Sequence, residues 1–564
     1  MDSGGKVKMT KVTRAQIVDD ALQVALTLQG PLTRDYLRAN SKYSDKQRTN
    51  FFSKHDDLLS AITDKLTPTQ RKAGIGKPLA GGQLKSREER AALPNTGKIK
   101  RYVLTSAQNN THVHYKFWEN VKAFAKHYDA EIMVGTFSYN QNNFGKLAVK
   151  RGTKKPYEYT LWFDDNIKPF IKDGTVLLAP DLLWCGEMNI LPTEQNPLSG
   201  LESHKGGSSV IFPHTKIEMR SVAMPPNKPV KFMYTTGCAT QLNYIQKKAG
   251  QKAEHHHRYA FLVVEVDGRG NWWVRQVAAR KNGRIIQDLD VKVEDGIVTT
   301  GATVAAISWG DLHATKADPT VVKTAQDILD TLKPKHQIIH DLFEGAGFNP
   351  HDRKYKDNHE KFANWLRGLH RVGEEFKRTK EILELYLRPN CKTVVPDANH
   401  DRKWLKRWLS EFDYRVDPAN AELFLRLQEF MYSEIRKGKL PKDVNLVERA
   451  MVTEAGLPKG AVQFLIPDES YEVGEVELGM HGHLGANGAN GSPNGLSKIG
   501  VKATTMHTHT AGIYHGLYVG GTSTVLTKEW GYTTGPSSWS HSHVLQYDNG
   551  QRAIVTEKNG KWRA

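Results

Sequence analysis

Apolar side chains recur at helical spacing through the first 66 residues and then give way to short β-branched runs. Ile17, Ala21, Val24 and Leu28 form one helical stripe, opened by a capping box of Thr13 and Gln16 and closed by Gly30-Pro31. A short helix with Tyr36 and Leu37 is predicted from Thr33. Ser44 and Gln47 make a second box before Phe51, Phe52, Leu58, Leu59 and Ile62. Residues 67–98 are rich in Pro, Gly, Lys and Arg and read as a linker. Residues 99–297 are predicted to form an α/β domain. It opens with a strand at 101–105, a helix at 113–127 and a strand at 130–136, one βαβ unit. Strands follow at 175–178 and 209–212, then a hairpin of 259–267 and 271–278 turning on Gly268-Arg-Gly270. In residues 298–564, strand-like runs stand at 303–308, 337–339, 391–395, 473–480 and 499–506, with a helical insertion at about 358–388. The turn-rich stretch 514–555 should complete a second sheet. The predicted fold class is α/β, preceded by a helical module of residues 1–66.

Candidate chemistry stands at the end of each run in the last half. The first delivers Asp311 and His313, two residues apart, which point the same way if extended. The second leads to His340 and Asp341, where a carboxylate could bridge two ions. The third precedes Asn399, His400 and Asp401, the fourth His481 and His483, the fifth His507 and His509. Mixed imidazole and carboxylate donors suit manganese, zinc or iron better than calcium or magnesium alone. A single His-x-His pair is weak in a chain with 23 histidines. His112 and His114, the tract His255 to His257, and His541 and His543 read as surface or packing residues. His483 competes with His481, which is preferred because it comes first after its strand. Asp401 could orient His400 or cap the amphipathic helix of Trp404, Leu405, Trp408 and Leu409. Capping is the favoured reading.

In order and spacing these clusters resemble the calcineurin-like metallophosphoesterase superfamily, with its D-x-H, G-D, G-N-H-D/E, H and G-H-x-H motifs. The resemblance covers roughly residues 298–545. It departs at His340, Ala398 and Met506, where the pattern has glycine, so altered loop geometry is expected there. It implies a β-sandwich flanked by helices, and two divalent ions, manganese before magnesium, zinc or iron. Asp311, His313 and His509 would hold one ion, and Asn399, His481 and His507 the other. Asp341 would bridge, and His400 would stabilise the transition state or protonate the leaving oxygen. His483 and His340 are further candidates for a metal or phosphate contact. The chain length, the Asp311-Leu-His313 context and the run from His481 to Gly495 are also similar to the early-expressed DNA-degrading proteins of large siphophages. That likeness implies breakdown of host DNA in the bacterial cytoplasm.

The composition narrows the substrate. The chain has 564 residues, is 39% hydrophobic and carries a formal charge of +18, from 79 basic and 61 acidic residues. Such an excess points to a polyanionic partner, DNA first. Lys361, Arg367, Arg371, Lys377 and Arg378 in the insertion are candidate backbone contacts. Arg34, Arg38, Lys42, Lys46, Arg48 and Lys54 give the N-terminal module either a helix-turn-helix-like role or a packing role. The polar loop 106–112 opens a helix N-terminus, where an anion or only water could sit. The Gly- and Asn-rich run 483–495 either lets a phosphate backbone approach or is a flexible surface loop. Three scattered cysteines exclude a disulfide framework and fit a reducing cytosol. No secretory leader or membrane span is expected. The expected protein is a homo-oligomeric, metal-dependent DNase, with a second phage or host protein as a further partner. The other readings are a phosphatase or phosphodiesterase on nucleotides or phosphoproteins, and a non-catalytic DNA-transfer or scaffold protein.

Overall fold

The computed structural model describes residues 12–28, 37, 40–52, 55–67, 97–139, 162–226, 228–349, 358–526 and 535–564. The chain divides into two compact units, Met1–Ala92 and Leu93–Ala564.

The first unit is helical, with helices Arg14–Leu28, Asp45–Thr49 and His55–Thr63. Both capping boxes form. The Thr13 amide donates to Gln16 Oε1 at 2.8 Å and the Gln16 amide to Thr13 Oγ1 at 3.3 Å; Ser44 and Gln47 make the same reciprocal pair. Ile17, Ala21, Val24, Leu58, Leu59 and Ile62 make the core. Arg48 is not available to DNA: it is buried and its guanidinium donates to the Tyr43 carbonyl. Arg34, Arg38, Lys54, the start of the helix expected at Thr33 and nearly all of the linker lie outside the described residues.

The second unit is α/β with several mixed sheets. Strands Lys100–Gln108 and Ala130–Phe137 pair in parallel across helix Tyr115–Tyr128, forming the expected βαβ unit. The hairpin Ala260–Val266 and Trp272–Ala278 extends that sheet. A six-stranded sheet runs Gln463–Phe464, Lys392–Val395, His336–Ile338, Ala306–Ser308, Ser542–Gln546, Arg552–Thr556, the first four strands parallel. A ten-stranded sheet carries Lys502–Thr505 and Gly512–Tyr514 beside strands between Thr175 and Thr235. Met219–Val222 pairs antiparallel with Gly512–Tyr514. The stretches 99–297 and 298–564 therefore share one sheet and one compact unit.

Alternation along the short strand Ala306–Ser308 sets the layers. Ile307 faces a core shared with Ile328, Phe376, Trp408 and Leu427 on the helices. Ala306 and Ile338 pack with Val476 of the ten-stranded sheet and with Leu478 just beyond that strand. The insertion is two helices, Asn358–Leu366 and Val372–Tyr386, broken at Gly368 with φ +69°. Val372, Phe376, Leu383 and Tyr386 are buried in the main core, while Arg367, Arg371, Lys377 and Arg378 are exposed. Lys361 lies on the first helix. Among the described residues no helix is long and apolar enough to cross a membrane.

Candidate metal centre

The parallel strands of the six-stranded sheet release their polar clusters at one edge. After Ala306–Ser308, Gly310 lies so close to the Gly521–Thr522 backbone that a Cβ would meet Thr522 N at 2.7 Å. That close approach requires glycine and aims Asp311 inward. The amides of Leu312, His313 and Ala314 donate to the carbonyls of His340, Asp341 and Leu342 at 2.8 to 2.9 Å, zipping the first two loops together. His313, Asp341, His507 and His509 all have left-handed backbone, at φ 39°, 44°, 73° and 56°. Each such residue costs roughly 1–3 kcal/mol, and such strain gathers at functional sites. Met506 fills the space over Gly520, where a Cβ would meet its sulfur at 2.2 Å.

Two donor groups result. Asp311, His313 and His509 form one; Asp341, His481 and His507 form the other, and His313 also lies within reach of Glu344 and His400 in a third grouping that overlaps the first. His313 Nε2 lies 3.2 Å from His509 Nε2, and His509 Nε2 lies 3.0 Å from Asp311 Oδ2. Asp341 Oδ2 sits 3.1 Å from His481 Nε2 and 3.9 Å from His313 Nε2, so one oxygen faces both groups. Asn399 Oδ1 is 3.1 Å from His481 Nε2. Nitrogens held about 2.0–2.1 Å from one ion are about 3–3.4 Å apart, the separation seen here. Asp311 Oδ1 and His481 Nδ1 are buried without a hydrogen bond. The residues present therefore fit divalent cations. His481, not His483, reaches Asp341; the His483 ring stands 5.5 Å from that of His481. His340 is buried with its ring 5.6 Å from His481 and belongs to neither group. A further cluster, Cys185, Glu187 and His204, has Lys205 Nζ 3.0 Å from its carboxylate, which opposes a cation there.

Charge at the centre is interlocked. Burial would raise the Asp341 carboxyl, but His481, His400 and His313 outweigh it and hold it well below the ordinary range. Burial works against charge on His313, yet Glu344 and Asp341 push that imidazole up to about 9. His481 is likewise pushed up to about 9, by Asp341 and Asp311 against burial. Burial and the His481 charge bring His507 down to about 4. Both His313 and His481 hold protons through neutral pH that a cation must displace. Cation affinity should therefore rise with pH and level off above about 9. Titration calorimetry with manganese at pH 7 in two buffers of different ionisation enthalpy should show proton release, and no release would contradict this balance.

His400 donates its amide to Asp341 Oδ1 at 3.2 Å and places Nδ1 3.1 Å from the Glu344 carbonyl. Its ring packs 3.6 Å from Trp404 and 4.5 Å from His313. Asp401 corrects the sequence reading: it neither caps the helix nor touches His400. The helix begins as a wide turn, Asn399–Lys403, with Ala398 at its cap and Asp401 already inside. The buried carboxylate instead accepts from the Leu342 and Phe343 amides at 3.1 and 2.9 Å, fixing the loop that carries Asp341.

Two supporting residues escape the sequence reading. His313 Nδ1 sits 3.1 Å from the Phe343 carbonyl, its hydrogen-bond partner, and 3.3 Å from Glu344 Oε2, with Lys316 3.4 Å from the other Glu344 oxygen. A carboxylate behind a ligating imidazole fixes its tautomer and orientation. Its signal is the acid three residues after Asp341. His543, read as packing, accepts the Gly310 amide at 3.0 Å through Nδ1 and faces Glu557 at 3.2 Å. It braces the Asp311 loop. At the helix N-terminus after 106–112, the anion is the chain's own Asp164, which accepts the Val113 amide at 3.2 Å and pairs with His112 at 3.0 Å. In the Gly-Asn run, Gly491 presses on the Gly482 carbonyl, where a Cβ would fall 1.8 Å from oxygen. There the run folds back on the His481–His483 segment.

Strained loops at the ends of strands thus define an α/β protein with a buried carboxylate- and imidazole-lined centre. The chain belongs to the family of Protein A1 of Escherichia phage T5. The two are 34% identical over 480 residues, 82% of this chain and 83% of that protein. No family model matches the chain, and no solved structure matches it.

Proposed function

We propose that this phage protein is a two-metal phosphodiesterase acting on DNA, expressed early and degrading host DNA in the bacterial cytoplasm. The observation that carries the reading is the single Asp341 oxygen facing two donor groups, 3.1 Å from His481 and 3.9 Å from His313. The facing six- and ten-stranded sheets with helices outside support the calcineurin-like sandwich, widened by strands from residues 175–235. Manganese fits the mixed donor set. Asp311, His313 and His509 would hold one ion and Asn399, His481 and His507 the other, Asp341 between them. Bound ions would polarise the phosphodiester and lower the pKa of a water able to attack phosphorus.

The chain's own residues do the remaining work. Asp401 and the zipped loops hold Asp341 in its strained backbone. The Phe343 carbonyl, with Glu344 beside it, orients His313. His400, fixed by the Glu344 carbonyl and Trp404, presents Nε2 for proton transfer. The +18 charge, with Arg367, Arg371, Lys377 and Arg378 exposed on the insertion, supports a polyanionic substrate.

The test is cleavage of linear duplex DNA and of a chromogenic phosphodiester with added manganese, over a salt series. DNA cleavage should fall at least tenfold between about 50 and 200 mM salt as backbone contacts are screened, while chromogenic turnover changes little. Chromogenic turnover without DNA cleavage at any salt would move the substrate to small phosphoesters.

A further inference from the structure

A second polar cavity, of about 1490 Å³, lies away from the metal centre, between the strand Met219–Val222 and the segments Tyr514–Tyr518 and Asn494–Lys502. Eight lysine and arginine side chains line it against four glutamates. Among the described residues, Arg552 and Arg258 there have no ion pair with a carboxylate. Arg552 is buried and donates to the Ala503 and Gly516 carbonyls at 2.5 and 2.6 Å and to Thr504 Oγ1 at 3.2 Å. Arg258 donates to the His255 and His257 carbonyls, at 2.9 and 3.0 Å. Lys216, also buried, donates to the Gln195 carbonyl at 2.8 Å.

These cations repel one another. Burial and the Arg258 charge push Arg552 down to about 10, and burial brings Lys216 down to about 8 although Glu218 and Glu194 pull it up. Buried charges are ordinarily paired, so this cluster calls for an anion. Beside it stands the opposite anomaly. Glu218 is 1% exposed and neither of its carboxylate oxygens has a hydrogen bond among the described residues. Its nearest basic neighbours are Arg220 at 3.9 Å and the imidazole of His515, whose Nδ1 lies 3.7 Å away. Left-handed backbone at His515, φ 58°, turns that ring toward Glu218 and to 5.1 Å from the His256 ring. Arg220 in turn lies 4.1 Å over Tyr514.

One ligand answers both anomalies. It must carry an anionic group and, at the other end, paired N–H donors on a flat ring. We propose that this cavity binds a nucleotide, its phosphate at Lys216, Arg258 and Arg552 and its base edge at Glu218. A carboxylate with two unpaired oxygens matches a base offering adjacent N–H donors, as guanine does. The cavity exceeds the roughly 300–1,000 Å³ typical of small-molecule sites, leaving room for water around such a ligand. Arg552 also ties this site to the strand Lys502–Thr505, whose other end leads to His507 and His509. The inference does not depend on the proposed nuclease chemistry.

The experiment is titration calorimetry of the full chain in EDTA with dGMP, dTMP and inorganic phosphate. Binding of dGMP at one per chain, at least about tenfold (1.4 kcal/mol) tighter than phosphate, is expected. Lys216→Met should weaken both nucleotides about tenfold or more, and Glu218→Gln should weaken dGMP while sparing dTMP. Thermal melts of each variant establish that it is folded, and Arg220→Gln substitutes for any that is not, with weaker binding expected. Asp341→Asn should leave dGMP binding unchanged. Absence of dGMP binding overturns the site. Phosphate binding as tight as dGMP overturns its assignment to a nucleotide. Loss of binding in Asp341→Asn places the nucleotide at the metal centre instead.

Discussion

Asp341→Ala is expected to abolish manganese-dependent DNA cleavage, by about 10⁴-fold or more, because one oxygen loses two roles at once. Asp341 Oδ2 is the atom that faces both donor groups, and Oδ1 accepts the His400 amide. Without it the two groups no longer share a ligand and the amide before the His400 ring loses its anchor. The variant should also be less stable without metal. His481 is held charged chiefly by Asp341, and removing one partner of a buried pair costs about 3–5 kcal/mol. Asp341→Asn separates these effects. It keeps an acceptor for the His400 amide, so its melting temperature should stay closer to wild type while cleavage is still lost. Manganese stoichiometry measured alongside should fall in both. Cleavage retained in Asp341→Asn would remove the bridging role.

The second large effect is expected at His400. His400→Ala should lower turnover by about 10²–10⁴-fold, the usual contribution of a positioned acid or base, with manganese stoichiometry unchanged. The Nδ1–H faces the Glu344 carbonyl at 3.1 Å, so the neutral ring presents a bare Nε2. Burial, against the pull of Asp341, brings this imidazole down to about 4 in the metal-free protein, so it is neutral at pH 7. Substrate phosphate beside it favours uptake of a second proton, which can then pass to the leaving oxygen. Turnover in the wild type should accordingly fall at high pH, and that limb should vanish in His400→Ala. Unchanged cleavage in His400→Ala would overturn the assignment, and loss of manganese with loss of activity would make the residue structural.

The sequence determined the local elements and the order of the site. Thr13 with Gln16 and Ser44 with Gln47 carry their helix starts within four residues, so local chemistry sufficed to place them. Short β-branched runs ending at Asp311, Asp341 and Asn399 placed the polar clusters just beyond strand ends, because parallel strands in one sheet deliver their next residues to one edge; His507 follows a strand of the facing ten-stranded sheet. Tertiary structure decided which atoms meet. The meeting of His481 with Asp341 and Asn399, the turning of Asp401 to the Leu342 and Phe343 amides, and the support from Glu344 and His543 depend on loops far apart in sequence. Left-handed backbone at His313, Asp341, His507 and His509 reverses side-chain directions that an extended reading would assign. Arg48 reads as a surface cation because its charge is visible in the sequence, whereas the Tyr43 carbonyl it meets in the packed module is not. The shared ten-stranded sheet joins residues nearly three hundred positions apart, and such pairing leaves no mark in hydrophobic periodicity. Periodicity fixes which face of a strand is apolar; only the packed chain fixes which strand lies beside it.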